Sequence, residues 1–245
     1  KPPGDVRRIV DAIETQHPGA DTELRHRNAF ELLVATILSA QSTDQRVNLV
    51  SPTLFKRYPD ARTLALATTR DLERQIRSTG FFRAKSRALV GMAQALVQRH
   101  GGAVPSDIDA LTALPSVGRK TANVVLGHAH GVPALAVDRH VLRVSKRIGI
   151  AESDDPAVVE RQLCGALPSE RWTRTSDTLI LHGRRICRPT PLCSQCSVLD
   201  DCAYFQTGAT TDDRRSDRRT VARPLVRRAR APRDRARPRT KSRRR

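Results

Sequence analysis

The sequence predicts an all-α fold divided into more than one helical lobe. Apolar residues recur at helical spacing in most segments from about residue 5 to residue 185. Gly and Pro punctuate those segments at intervals that suit helix ends. No run alternates apolar and polar residues as a half-buried strand would. At 245 residues the chain is long enough to bury a sizeable core and to split it between lobes.

The first helix is expected over 5–17, with Val6, Ile9, Val10 and Ile13 on one face and Pro18-Gly19 as its stop. Asn28 caps the next, and Glu31 three residues on completes a capping box. Its run of Phe30, Leu32, Leu33, Val34, Ile37 and Leu38 is apolar nearly all round, which marks a central core helix. This helix leaves through the polar stretch Ser39 to Asp44, where Asp44 reads as the N-cap of a helix over 45–58. Helices at 61–67 and 69–78 follow, the latter closed by Gly80. Phe81-Phe82 come next in a chain that is only 3% aromatic, and adjacent aromatics of this kind usually anchor a core. A long helix over 83–100 ends at Gly101-Gly102, and a short one over 106–113 leads into a turn.

That turn is Leu114-Pro115-Ser116-Val117-Gly118, in which Pro pre-sets one φ angle and Gly is expected to supply a positive one. A helix opens straight after it and runs to His130, where Gly131 stops it. A hairpin opening into a helix directs unpaired N–H groups outward beside a positive dipole end, a place for one backbone phosphate. Lys120 lies in the first turn of that helix, beside Arg119. The dipole and the neighbouring cation both favour the free amine, the form that attacks carbon. Asp138 follows 138 − 120 = 18 residues later, after the apolar run 134–137 and before another helical pattern. A lysine nucleophile with a carboxylate partner suits chemistry at a sugar C1′, where positive charge develops. A solvated lysine and an ordinary N-cap aspartate are the plainer readings of the same two residues. Helices over 139–148, 156–167 and 172–185 complete the pattern.

The formal charge of +19 calls for a polyanionic partner, with nucleic acid well ahead of an anionic membrane surface. So few aromatics exclude a stacking platform for single strands. No apolar run is long enough to cross a bilayer, and nothing near Lys1 reads as a signal peptide. Residues 209–245 hold 16 Lys or Arg and 4 Asp, a net +12 of the +19, which leaves +7 on the rest. With almost no apolar content, that segment is expected to be a disordered tail adding sequence-blind affinity for DNA.

Four of five cysteines crowd into Cys187-x5-Cys193-x2-Cys196-x5-Cys202. Such a cluster binds metal in an intracellular chain, and the spacing leaves zinc and a [4Fe–4S] cube both open. Cys164, alone in a predicted helix, reads as a small buried apolar residue.

The segments LPSVGRKTANVVL and AVDRHVLRV resemble the helix-hairpin-helix and Gly/Pro-Asp segment of the endonuclease III family of base-excision DNA glycosylases. The resemblance implies that Lys120 is the Schiff-base nucleophile and Asp138 its partner. It places Leu114, Ser116, Gly118 and Arg119 of the hairpin against DNA. Two departures show: the family usually has Gly at the position of Ser116 and Thr at that of Arg139. LLVATILSAQSTD resembles the segment whose glutamine, here Gln41, fills the space left by an everted nucleotide. Phe81 occupies the position of the family's apolar wedge, and Asp44 and His140 are expected at the base pocket. LHGRRIC with the following cysteines resembles the family's iron–sulfur loop, which implies one [4Fe–4S] cluster on Cys187, Cys193, Cys196 and Cys202 and sets Arg184 against phosphates. The family's first gap is usually six residues, and here it is five, Arg188 to Leu192.

The expected architecture is then a six-helix barrel over 22–132 and a cluster lobe from 1–21 and 133–208, with the active-site cleft between them. The expected activity is removal of oxidised pyrimidines from duplex DNA, with AP-lyase cleavage, by a monomer in the bacterial cytoplasm at the nucleoid. An adenine-mismatch glycosylase of the same superfamily and a non-catalytic DNA-binding module are the alternatives.

Overall fold

The computed structural model describes residues 1–208, so the tail expected over 209–245 lies outside them. The described residues form twelve α-helices and no strand: α1 (Pro3–Gln16), α2 (Ala29–Ser39), α3 (Asp44–Arg57), α4 (Ala61–Ala65), α5 (Thr69–Ile76), α6 (Phe82–His100), α7 (Ile108–Thr112), α8 (Arg119–Ala129), α9 (Arg139–Ile148), α10 (Pro156–Ala166), α11 (Trp172–Arg185) and α12 (Ala203–Gln206). The all-α expectation holds.

Most helix starts are decided by one side chain. Asn28 caps α2 as expected, its Oδ1 accepting from the Glu31 amide at 2.9 Å. The reciprocal half of the capping box is displaced by one residue. Glu31 reaches past Asn28 and accepts from the Arg27 amide at 2.8 Å and from its Nε at 2.9 Å. The cap of α3 is Thr43 rather than Asp44: its hydroxyl accepts from the Arg46 amide at 3.2 Å, which leaves the Asp44 carboxylate for other work. The short helix before the hairpin contracts to α7 because Asp107 caps it, accepting from the Ala110 amide at 2.8 Å.

Nearly all buried apolar residues among those described fall into two cores. The first surrounds α2, which contributes Leu32, Leu33 and Leu38 and packs on α3, α6 and α8. The second joins Val6, Ile9, Val10 and Ile13 of α1 to Val141, Val144 and Ile148 of α9, Leu163 of α10 and Leu179 of α11. Two glycines let α11 approach its neighbours closely. A Cβ at Gly127 would stand 2.5 Å from Thr173 Oγ1, and one at Gly183 would stand 2.9 Å from His140 Cβ.

Between α8 and α9 the chain runs extended and buried through Ala134, Leu135, Ala136 and Val137. A buried backbone outside a helix must find partners for its carbonyls. Thr173 Oγ1 donates to the Ala134 carbonyl at 3.0 Å, Asn123 Nδ2 to that of Leu135 at 3.0 Å, and Ser176 Oγ to that of Ala136 at 2.6 Å. Three consecutive carbonyls are thereby pinned to α8 and α11. Asp138 is delivered to a set place as a result.

Candidate active site

A narrow cleft of about 60 Å³ has walls drawn from both cores. Helix α8 presents Lys120, Val124 and His128, spaced i, i+4 and i+8 on one face. Helix α11 presents Asp177, Ile180, Leu181 and Arg184 with the same logic. Thr36 and Ser39 of α2, the loop residues Asp21 to Leu24, and the two carboxylates Asp44 and Asp138 close the ring.

Lys120 and Asp138, singled out together in the sequence, therefore meet in one cavity. Among the described residues the Lys120 amine has no ion pair, so no carboxylate holds it as a spectator cation. Asp138 caps α9, its Oδ1 accepting from the His140 amide at 2.7 Å and the Val141 amide at 3.0 Å. Both cap bonds fall on one oxygen, and the other stays outside the cap. The N-cap reading and the reactive-partner reading are compatible, because the cap orients the carboxylate that borders the cleft.

Arg184 spans the cleft, donating to Glu23 at 2.7 Å and to Asp44 at 2.8 Å. Arg119 likewise forms a two-point pair with Glu160, both contacts at 2.8 Å, which raises its already high proton affinity. Both guanidinium groups, expected on phosphates, are thus held by carboxylates in this structure. Deeper in the cleft, His128 lies 3.3 Å from Asp177 through Nε2 and 3.5 Å from Asp21 through Nδ1. Burial pushes its pKa down, but the two carboxylates more than offset this, and the net shift is upward. The sequence reasoning missed His128 and Asp177, although the i+8 spacing from Lys120 was a signal that pointed to the first.

Two expected site residues lie apart from the cleft. Leu114 is a core residue, 2% exposed, whose N–H and carbonyl are both used in turn bonds to Leu111 and Val117. Its side chain packs in the first core. His140 does not line the cleft: its ring packs on Gly183 and its Nδ1 lies 3.1 Å from an Arg143 nitrogen. Burial pushes that imidazole below its ordinary value.

The positive φ of the hairpin is at Ser116 (63°), whereas Gly118 is extended at −90° and caps α8 without a side chain. Gln41 (51°) and Phe81 (48°) are the other non-glycine residues with positive φ among those described. All three are exposed, Phe81 at 65%. Left-handed backbone at a non-glycine residue costs about 1–2 kcal/mol and persists only where its surroundings impose it. Phe81 is therefore no core anchor; Phe82 beside it packs against the first core.

A larger cavity lies at the N-terminal end of α2 among Arg25, His26, Arg27, Lys56 and Phe55. It contains neither Lys120 nor Asp138, and its one carboxylate, Glu31, is committed to Arg27.

Cys187, Cys193, Cys196 and Cys202 share a third, mostly apolar pocket with Ile148, Ile186 and Leu199, and none is in a disulfide. Burial pushes the Cys196 thiol up to about 11, and burial with the neighbouring sulfurs raises Cys193 and Cys202 as well. Thiols so placed become thiolates only with a cationic group among them. Zn–S bonds of about 2.3 Å would set the sulfurs ~3.8 Å apart. Among the described residues the one group of three or more donors with all ligand atoms within 4.8 Å is Asp21, His128 and Asp177, so no three of the sulfurs come that close together. The short first gap is held by Arg147, which donates to the Arg188 carbonyl at 2.6 Å and the Pro189 carbonyl at 2.9 Å and stacks 4.6 Å over Tyr204. Cys164 is half-buried in α10, and burial pushes its thiol to about 11, as suits a packing residue.

Residues 34–169, more than half of the chain, match the model of the HhH-GPD superfamily of base excision DNA repair proteins. The chain is 46% identical to Endonuclease III of Synechocystis sp. over 200 residues, covering 81% of this chain and 91% of that one. It is 44% identical to Endonuclease III of Bacillus subtilis, covering 82% and 93%. Its structure superimposes with a TM-score of 0.81 on a trapped covalent intermediate of an Endonuclease III with DNA, at 41% identity and covering 85% and 99% of the two chains. A thermostable thymine-DNA glycosylase, at 22% identity and a TM-score of 0.74, shares the fold. The chain belongs to the HhH-GPD superfamily of base excision DNA repair proteins.

Proposed function

We propose that the protein is a DNA glycosylase with AP-lyase activity that removes oxidised pyrimidines from duplex DNA. The observation that carries this reading is the unpaired Lys120 amine in one cleft with Asp138. The amine attacks C1′ of an everted nucleotide, and the base leaves with the bonding electrons and takes up a proton. Asp138 stabilises the cationic transition state and moves the proton released from the amine. Cleavage of C1′–O4′, with a proton delivered to O4′, then opens the sugar and gives the Schiff base. The Schiff base acidifies C2′; loss of that proton breaks the C3′–O bond and nicks the strand on its 3′ side.

Gln41, Phe81 and Ser116 are the contacts that open and hold the duplex, the first entering the gap and the second parting base steps. The hairpin amides around Gly118 take a phosphate. Arg184 and Asp44 line the route of the base, so their ion pair rearranges as the base enters. An adenine-mismatch glycosylase would not need the lysine, and a non-catalytic module would need neither the cleft nor an amine without an ion pair.

The two cores support a barrel lobe at 22–132 and a second lobe from 1–21 and 133–208. The four cysteines fit one [4Fe–4S] cluster, held by Cys187, Cys193, Cys196 and Cys202. Bound there, the cluster supplies a cross-link for a loop that has little core of its own. No described helix is long and apolar enough to cross a membrane, and we assign the protein to the bacterial nucleoid as a monomer.

Single-turnover base release from duplexes that each carry one oxidised pyrimidine tests the reading. Release from these and not from undamaged duplex is expected, and no release from any of them would contradict it. Iron at about four per chain is expected for the cluster; stoichiometric zinc would contradict it.

A further inference from the structure

His17 and His182 meet inside the second core, where the catalytic reading gives neither a task. His17 ends α1 and is 4% exposed; His182 is on α11 and fully buried. Their rings meet edge to face, with His17 Nε2 at 3.1 Å from His182 Nδ1. The other nitrogen of His182, Nε2, is 3.7 Å from Cys196 Sγ. Two imidazoles and a sulfur therefore stand in a single file from α1 to the cysteine loop.

The direction of the hydrogen bonds follows from the last member, on the reading that Cys196 ligates an iron–sulfur cluster. A ligating sulfur is a thiolate and has no proton to give. His182 Nε2 must then carry the hydrogen that points at Sγ, and in a neutral ring its Nδ1 is left as an acceptor. The hydrogen between the rings consequently belongs to His17 Nε2. A hydrogen bond to a cluster sulfur withdraws electron density and favours the reduced state.

We infer that His17 is a positioning residue: by donating to His182 Nδ1 it holds the tautomer in which His182 donates to Cys196, and so raises the reduction potential of the cluster. Without His17 the buried Nδ1 loses its donor, and the ring can carry its hydrogen there instead. Nε2 would then turn a lone pair towards the thiolate.

The test uses the full-length holoprotein, with iron content and visible absorbance measured before electrochemistry. His17→Leu is expected to keep its iron while its one-electron potential falls, by at least tenfold in the oxidised-to-reduced ratio at fixed electrode potential, or about 59 mV. His17→Gln, whose amide can donate to Nδ1, is expected to recover most of that shift. A loaded His17→Leu protein with the wild-type potential overturns the inference and leaves the cluster reading standing. Wild-type protein without iron overturns both. Because the leucine variant can lose its cluster, wild-type protein labelled with ¹⁵N-histidine gives a second reading. Pulsed EPR of the paramagnetic cluster should show coupling to one imidazole nitrogen that bears an exchangeable proton; no such coupling overturns the inference.

Discussion

The Lys85 ammonium donates at 2.7 Å to the carbonyl of Leu38, and at 2.8 Å to that of Thr79. Leu38 stands three residues before Gln41 at the end of α2, and Thr79 two before Phe81. One lysine, 5% exposed, therefore ties together the bases of two exposed left-handed residues. Burial pushes its amine pKa down, but the two carbonyls, one at a helix C-terminus, suit a cation.

Lys85→Met should accordingly destabilise the protein by about 3 kcal/mol, because it removes two charge-assisted bonds and strands two buried carbonyls. Urea unfolding measures this. The variant should also bind duplex DNA more weakly than its remaining folded fraction accounts for. A loss below about 1 kcal/mol would show that the ties carry little.

Ser116→Gly should stabilise the protein by about 0.5–1 kcal/mol, since relief of left-handed strain exceeds the added chain entropy of glycine. The denaturant midpoint should rise with no change in slope. Ser116→Val should move it the opposite way, as a β-branched residue tolerates φ of 63° poorly.

These two sites show where the sequence was legible and where it was not. The helices over 139–148 and 172–185 were readable to the residue, because burial imposes an apolar period on the chain. Starts were less readable, as at α3, where neighbouring Thr43 and Asp44 can both cap and only packing chooses between them. The positive φ of the hairpin was assigned to Gly118 on propensity, but tertiary contacts impose it on Ser116. A buried lysine such as Lys85 leaves no mark, since lysines are ordinarily solvated. Lys120 and Asp138 could be paired from their motif alone; that Asp21, His128 and Asp177 join them required the packing of α11 on α8.

His128 makes the stability pH-dependent in a defined sense. Its pKa is raised in the folded state by Asp177 and Asp21 against the effect of burial. The stabilisation is therefore complete below the unfolded value of about 6.5 and is lost as pH rises through the higher folded value. Thermal melts should show Asp177→Asn losing about 1 kcal/mol at pH ~6 and much less at pH ~9. An equal loss at both would mean that the imidazole is not charged there.

Trapping with borohydride on a duplex that holds one abasic site tests the central assignment most directly. The intact chain should form a covalent adduct, as should a chain ending at residue 208, while Lys120→Ala should form none. Asp138→Asn should slow its formation by about 100-fold. An adduct that survives Lys120→Ala, or none with the intact chain, would contradict the account.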